Sequence, residues 1–120
     1  MTEPLRVWSY SRCSTCRKAL QWLRDHGIDV VVVDITQHPP DRALLASAAA
    51  FFGDRKPLFN TIGQSYRALG AATVKAMSDD EALDALAADG KLIKRPFLAA
   101  GDAGFLVGFK PDQWSATLRR

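Results

Sequence analysis

The sequence predicts an α/β fold, and three observations carry the prediction. An apolar run, an amphipathic stretch and a β-branched run open the chain in the order strand, helix, strand. A long middle segment carries helical spacing. Two short apolar runs and a final helical stretch then close the chain. The 120 residues provide for one hydrophobic core and hardly for two, so residues 1–120 are expected to form a single domain. The middle segment is then an insertion at about residues 39–90.

The stretch LRVWSY at residues 5–10 is short, apolar and aromatic, as strands are. The loop Ser11-Arg12-Cys13 leads into a helix over residues 14–26, in which Cys16, Ala19, Leu20 and Leu23 fall at i, i+3, i+4 and i+7 and make one buried face. Gly27 is the residue expected just past its end. IDVVVVDI at residues 28–35 suits a buried parallel strand. These elements make a right-handed βαβ unit with the Cys13 loop at the C-terminal edge of the first strand, where open α/β sheets place their ligands. Pro39-Pro40 is expected to open a helix through Leu44, Leu45, Ala48, Phe51 and Phe52 to Gly53. Thr61-Ile62-Gly63-Gln64 and Ser78-Asp79-Asp80-Glu81 each match the capping box. They predict a short helix reaching about Leu69 and another over residues 79–89 that stops at Gly90. Residues 97–99 and 105–109 read as strands flanking the turn Gly101-Asp102-Ala103-Gly104. Pro111 takes the first position of the last helix, over residues 112–118.

The net charge is +3, but the basic residues are scattered among 13 acids and form no run. That balance favours small anions or an acidic partner and gives no direct nucleic-acid site. Trp8, Trp22 and Trp114 therefore read as packing rather than as a base-stacking platform. The longest apolar run, residues 30–33, is far too short to span a bilayer, and the N-terminus has no signal-peptide pattern. A cytoplasmic protein without a membrane partner is expected. In a reducing compartment two cysteines are catalytic, redox-sensing or metal-binding rather than a structural staple.

A cysteine at a helix start faces unsatisfied backbone N–H groups and the positive end of the helix dipole, and both favour its thiolate. Arg12 and Arg17 flank Cys13 and push the same way, so its pKa is expected to be depressed. Cys16, one turn on, lies on the buried face and is the less exposed thiol. A dithiol mechanism uses such a difference, since the outer sulfur attacks and the inner one resolves the mixed disulfide. A zinc site would need two more ligands, and His26 and His38 are not in metal-type spacing, so no metal is expected. Placement of Cys-x-x-Cys between a strand and a helix is the arrangement of thioredoxin-like redox motifs.

The run Tyr10-Ser11-Arg12-Cys13-Ser14-Thr15-Cys16-Arg17-Lys18-Ala19 resembles the opening of the ArsC/Spx/YffB family of arsenate reductases and their relatives. The likeness continues through Phe59-Asn60-Thr61, Tyr66-Arg67-Ala68-Leu69-Gly70, Ser78-Asp79-Asp80-Glu81-Ala82-Leu83, Leu92-Ile93-Lys94-Arg95-Pro96 and Val107-Gly108-Phe109-Lys110-Pro111. It implies a thioredoxin-like fold with a four-stranded mixed sheet and a helical insertion, and a cis peptide bond before Pro96. It also implies that Cys13 attacks arsenate, with glutathione and glutaredoxin resolving the adduct. Arg17 and Arg95 match two of the family's arginines, and Arg95 is expected in catalysis as well as anion binding. Asn60 and Lys110 stand where the reductases carry two more arginines and are expected to complete the anion-binding set with Arg17 and Arg95, as a neutral donor and a charge without the guanidinium fork.

Cys16 departs from those enzymes, which typically have serine there, and resembles the Spx-type pair. Two readings follow. One is an arsenate reductase-like thiol oxidoreductase, acting on a small oxyanion or a thiol substrate and drawing electrons from glutaredoxin or thioredoxin, with Cys16 as resolving thiol. The other is a regulator in which a Cys13–Cys16 disulfide switch alters binding to RNA polymerase, as the likeness to Spx implies.

Overall fold

Four strands build one mixed sheet in the order β2-β1-β3-β4, in a computed structural model that describes residues 4–118. β1 (Leu5–Ser9) runs parallel to β2 (Val30–Asp34) and antiparallel to β3 (Phe97–Ala99), which pairs antiparallel with β4 (Phe105–Val107). Helices α1 (Ser14–Asp25) and α6 (Pro111–Leu118) complete a thioredoxin-like α/β architecture. The sheet and these two helices belong to a compact unit formed by the chain up to Asp34 and again from Arg95 onward. Ile35–Lys94 form a second compact unit.

Alternation along the strands decides the core of the sheet unit. Val7, Leu98 and Leu106 share one face and pack with Ala19 and Leu23 of α1 and with Trp114 of α6. Fully burying a side chain of this size contributes about 2 kcal/mol. Trp114 is fully buried, and its indole N–H donates to the Gly108 carbonyl at 3.1 Å, so no polar atom is stranded. Trp8 and Phe97, cross-strand partners, meet edge to face at 5.6 Å. Helix α1 ends as its sequence predicts. Gly27 has φ 64°, its N–H reaches the Arg24 carbonyl, and the Ile28 N–H reaches Leu23.

The second unit contains α2 (Arg42–Phe52), α3 (Gln64–Leu69), α4 (Ala71–Ala76) and α5 (Asp79–Ala88). The capping box at Ser78 is present in both directions, with Glu81 N–H donating to the Ser78 hydroxyl and Ser78 N–H to the Glu81 carboxylate. Arg55 ties the start of α5 to the end of α4 through Asp79 and the carbonyls of Val74 and Met77.

Several local expectations are corrected. β2 is an edge strand, not a buried one, and Val31 and Val32 are 50% and 54% exposed. Its β-branched run expresses strand propensity, which does not by itself require two covered faces. Helix α2 begins at Arg42 rather than at the prolines, because the Asp41 carboxylate accepts the Leu44 N–H at 2.8 Å and caps it. The Thr61 match to a capping box does not cap: α3 starts after Gly63 without a side-chain cap. A Cβ on Gly63 would lie 2.7 Å from the Asn60 amide nitrogen, so close packing sets this turn. Gly90 does not terminate α5 in a left-handed conformation. It opens a short 3₁₀ turn where a Cβ would sit 1.8 Å from the Ile35 carbonyl oxygen. β1 stops one residue before Tyr10, and β4 stops at Val107, before the left-handed Gly108. Helix α4 has no counterpart in the sequence-based expectation.

Candidate functional site

The end of β1 at Ser9 shapes the turn that carries the first cysteine. Beyond it the Tyr10 carbonyl accepts the Cys13 N–H at 3.0 Å, closing a tight turn over Ser11 and Arg12. Cys13 then stands in extended conformation (φ −97°, ψ 117°) as the N-cap of α1. Its sulfur accepts the Cys16 N–H at 3.4 Å, taking the place that a serine hydroxyl or aspartate carboxylate fills at other helix starts. A thiolate suits that place, because a helix N-terminus favours a negative charge. The first helical bond, from the Arg17 N–H to the Cys13 carbonyl at 3.1 Å, fixes the register of the helix against this sulfur.

The two thiols, both free, differ in environment. Cys13 is half-buried and Cys16 has no exposed surface. Burial of the Cys13 sulfur opposes its ionisation. The Cys16 backbone N–H, the Cys16 thiol and the Arg95 guanidinium together outweigh that burial, and the Cys13 pKa is lowered. Burial, aided by the Cys13 sulfur, pushes Cys16 up to about 11 against hydrogen bonds from the Tyr10 backbone and the Ser9 hydroxyl. The outer sulfur therefore ionises more readily than an ordinary thiol, and the inner one keeps its proton at neutral pH.

Arg95 supplies the positive charge, which corrects the expectation that Arg12 and Arg17 would. Arg12 is exposed on the turn, and Arg17 turns to donate to the Ser11 carbonyl at 2.7 Å. Arg95, half-buried, lies with its guanidinium carbon 4.8 Å from the centre of the Tyr10 ring. The Arg95–Pro96 peptide is cis. The Pro96 carbonyl accepts the Gly108 N–H at 2.9 Å. Cys13, Cys16, Arg17, Arg95, Pro96 and Lys110 all belong to the sheet unit, and the Lys110 side chain is exposed at the start of α6. Asn60 belongs to the other unit. It is 7% exposed, with its backbone N–H on the Leu92 carbonyl at 2.8 Å and its side-chain amide 3.4 Å from the Lys91 carbonyl. His26 stacks on Trp22 at 4.1 Å at the end of α1. Among the described residues no three His, Cys, Asp or Glu side chains gather as metal ligands, and no helix is long and apolar enough to cross a membrane.

Two residues of the site escaped the sequence. Ser9 is a buried polar residue at the last position of β1, and its place two residues short of the turn is the only local signal for it. Tyr10 is legible as part of the cysteine motif, but its contact with Arg95 joins distant parts of the chain and leaves no local pattern.

Comparison with known proteins adds to this geometry. A profile of the ArsC family matches residues 8–117. The uncharacterized protein YusI of Bacillus subtilis strain 168 is 42% identical over 112 residues, covering 92% of this chain and 94% of that protein. An arsenate reductase of Rhizobium meliloti strain 1021 is 34% identical over 100 residues, covering 78% of this chain and 67% of the enzyme. The global transcriptional regulator Spx of Streptococcus pyogenes is 28% identical over 109 residues, covering 90% of this chain and 80% of the regulator. Among solved structures, a possible arsenate reductase from Streptococcus mutans UA159 superposes with a TM-score of 0.81 at 40% identity, covering 88% of this chain and 91% of that one.

Proposed function

This chain belongs to the ArsC family, and from that premise we propose that it is a thiol oxidoreductase in which Cys13 is the attacking thiolate and Cys16 the resolving thiol. The observation that carries the reading is the placement of the two sulfurs, Cys13 as the N-cap of α1 accepting the Cys16 N–H at 3.4 Å and Cys16 fully buried behind it, with opposed shifts in acidity to match. For arsenate the sequence would run in three steps. The Cys13 thiolate displaces hydroxide from arsenic(V) and forms a sulfur–arsenic bond. Cys16, giving up its proton, attacks the Cys13 sulfur; the electron pair of the sulfur–arsenic bond passes to arsenic, and arsenite leaves as the Cys13–Cys16 disulfide forms. Two electrons from thioredoxin, or from glutathione with glutaredoxin, then restore both thiols. Arg95, with Arg17 and Lys110, would hold the oxyanion by charge-assisted hydrogen bonds. Asn60, with its amide on the Lys91 carbonyl, is given a structural role in the second unit.

The test is arsenate-dependent NADPH consumption, coupled separately through thioredoxin and through glutathione–glutaredoxin. Turnover through thioredoxin that vanishes in Cys13→Ser and in Cys16→Ser supports the dithiol cycle. Turnover through glutathione alone that survives Cys16→Ser would remove Cys16 from the mechanism. Similarity to the regulator Spx, together with a Cys-x-x-Cys that resembles the Spx-type pair, supports a second reading as a redox switch that binds RNA polymerase. A pull-down with the polymerase that gave the same result under oxidising and reducing conditions would exclude it.

A further inference from the structure

We propose that Tyr10 is a positioning residue for Arg95: its ring face holds the guanidinium beside the Cys13 sulfur. The inference rests on the proposed role of Cys13 as the attacking thiolate and adds a residue that the reading does not contain.

Tyr10 has two handles on the site. Its carbonyl closes the turn that sets the Cys13 backbone, through the 3.0 Å bond from the Cys13 N–H. Its ring, half-buried, lies 4.8 Å from the Arg95 guanidinium carbon, within the range of a cation–π contact. An arginine side chain has many rotamers, so a guanidinium free to wander would act on the sulfur only part of the time. Stacking on a ring restricts it while leaving its N–H donors, which lie in the guanidinium plane, available to an anion. The Arg95 guanidinium hydrogen-bonds the Cys13 sulfur and also meets the Tyr10 ring, whereas Arg17 turns to the Ser11 carbonyl and Arg55 to Asp79 and two carbonyls. The Tyr10 ring is therefore the contact on which the Arg95 placement can be tested.

The charged and titratable groups around Cys13 are Cys16 on α1, Arg95 before β3, and Arg12 and Arg17 on the turn and first helical turn. Only Cys16 and Arg95 act on the Cys13 thiolate directly. Replacing Tyr10 by leucine keeps the backbone bond and removes the ring. Phenylalanine keeps the ring and removes the hydroxyl.

The experiment measures the rate of iodoacetamide alkylation of Cys13 in the full chain as a function of pH, with the site of modification mapped by mass. Removing a cation–π contact of about 1 kcal/mol should slow alkylation at pH 6 about fivefold in Tyr10→Leu and move the midpoint of its profile upward, while Tyr10→Phe stays near wild type. In an Arg95→Met background the further change to Tyr10→Leu should have no effect, because both substitutions act through one guanidinium. A Tyr10→Leu profile that coincides with wild type overturns the inference, and so does a Tyr10→Leu effect that persists undiminished in Arg95→Met. The underlying reading fails separately: a wild-type midpoint in the ordinary thiol range would mean that Cys13 is not an activated thiolate at all.

Discussion

A thiol buried like that of Cys16 loses the water that would solvate its anion, and the neighbouring Cys13 sulfur raises the cost of ionising it again. The consequence can be read in stability. A folded-state pKa of about 11 lies above the value of about 8.5 expected for a thiol in the unfolded chain. The Cys16 contribution is then fully present below pH 8.5 or so and is lost as pH rises through 11. Cys13, with its pKa lowered, shifts the balance in the opposite sense, and comparison with Cys16→Ser, which keeps Cys13, removes it from the difference. Under reducing conditions the unfolding free energy of the wild type should fall by about 3 kcal/mol more than that of Cys16→Ser across this interval. Urea titrations at a series of pH values measure it, and parallel profiles would mean that Cys16 is not held protonated by the fold. The two cysteines themselves were legible in the sequence, because helix spacing placed one sulfur on the buried face and one at the helix start. Which arginine acts on Cys13 was not legible from spacing. Arg12 and Arg17 are near it along the chain, and Arg95 reaches it only through the pairing of β1 with β3.

Helix ends and turns divide into those that local chemistry decides and those that packing decides. Ser78 and Glu81 satisfy each other's backbone donors within one turn, so four residues contain the whole reason for the start of α5. Thr61 and Gln64 have the same spacing, yet the approach of the Asn60 amide to Gly63 sets the turn there instead. The run of four valines in β2 was readable as a strand, but its exposure follows from strand order, which no local run contains. Two glycines test this division. Gly27 is left-handed with nothing within 4 Å of a would-be Cβ, so Gly27→Ala should cost only the conformational strain of about 1–2 kcal/mol. Gly90 faces the Ile35 carbonyl, where a Cβ would lie at 1.8 Å, and backbone must move to admit it. Gly90→Ala should therefore cost more than about 3 kcal/mol, or prevent folding of the second unit. Equal losses of stability in urea, measured on both variants, would show that Gly90 serves only as a helix terminator.

At the scale of the whole molecule the sheet unit collects the chemistry from both ends of the chain. The cysteine loop comes from the first βαβ unit, and Arg95 and Pro96 come from the segment entering β3. The α/β class and the order of the strands along the chain were readable from periodicity and turn residues, because each depends on neighbours in sequence. The four-stranded mixed sheet and the functional standing of Arg95 came from the family resemblance, since both depend on pairings between distant segments. The central claim is that Cys13 and Cys16 form one redox couple, and intact-mass measurement after mild oxidation with diamide tests it most directly. One redox couple means loss of two hydrogens in the wild type, reversed by dithiothreitol and absent in Cys13→Ser and in Cys16→Ser. A wild type that keeps both hydrogens, or that gains a diamide or glutathione adduct on Cys13 which Cys16 never displaces, would contradict it.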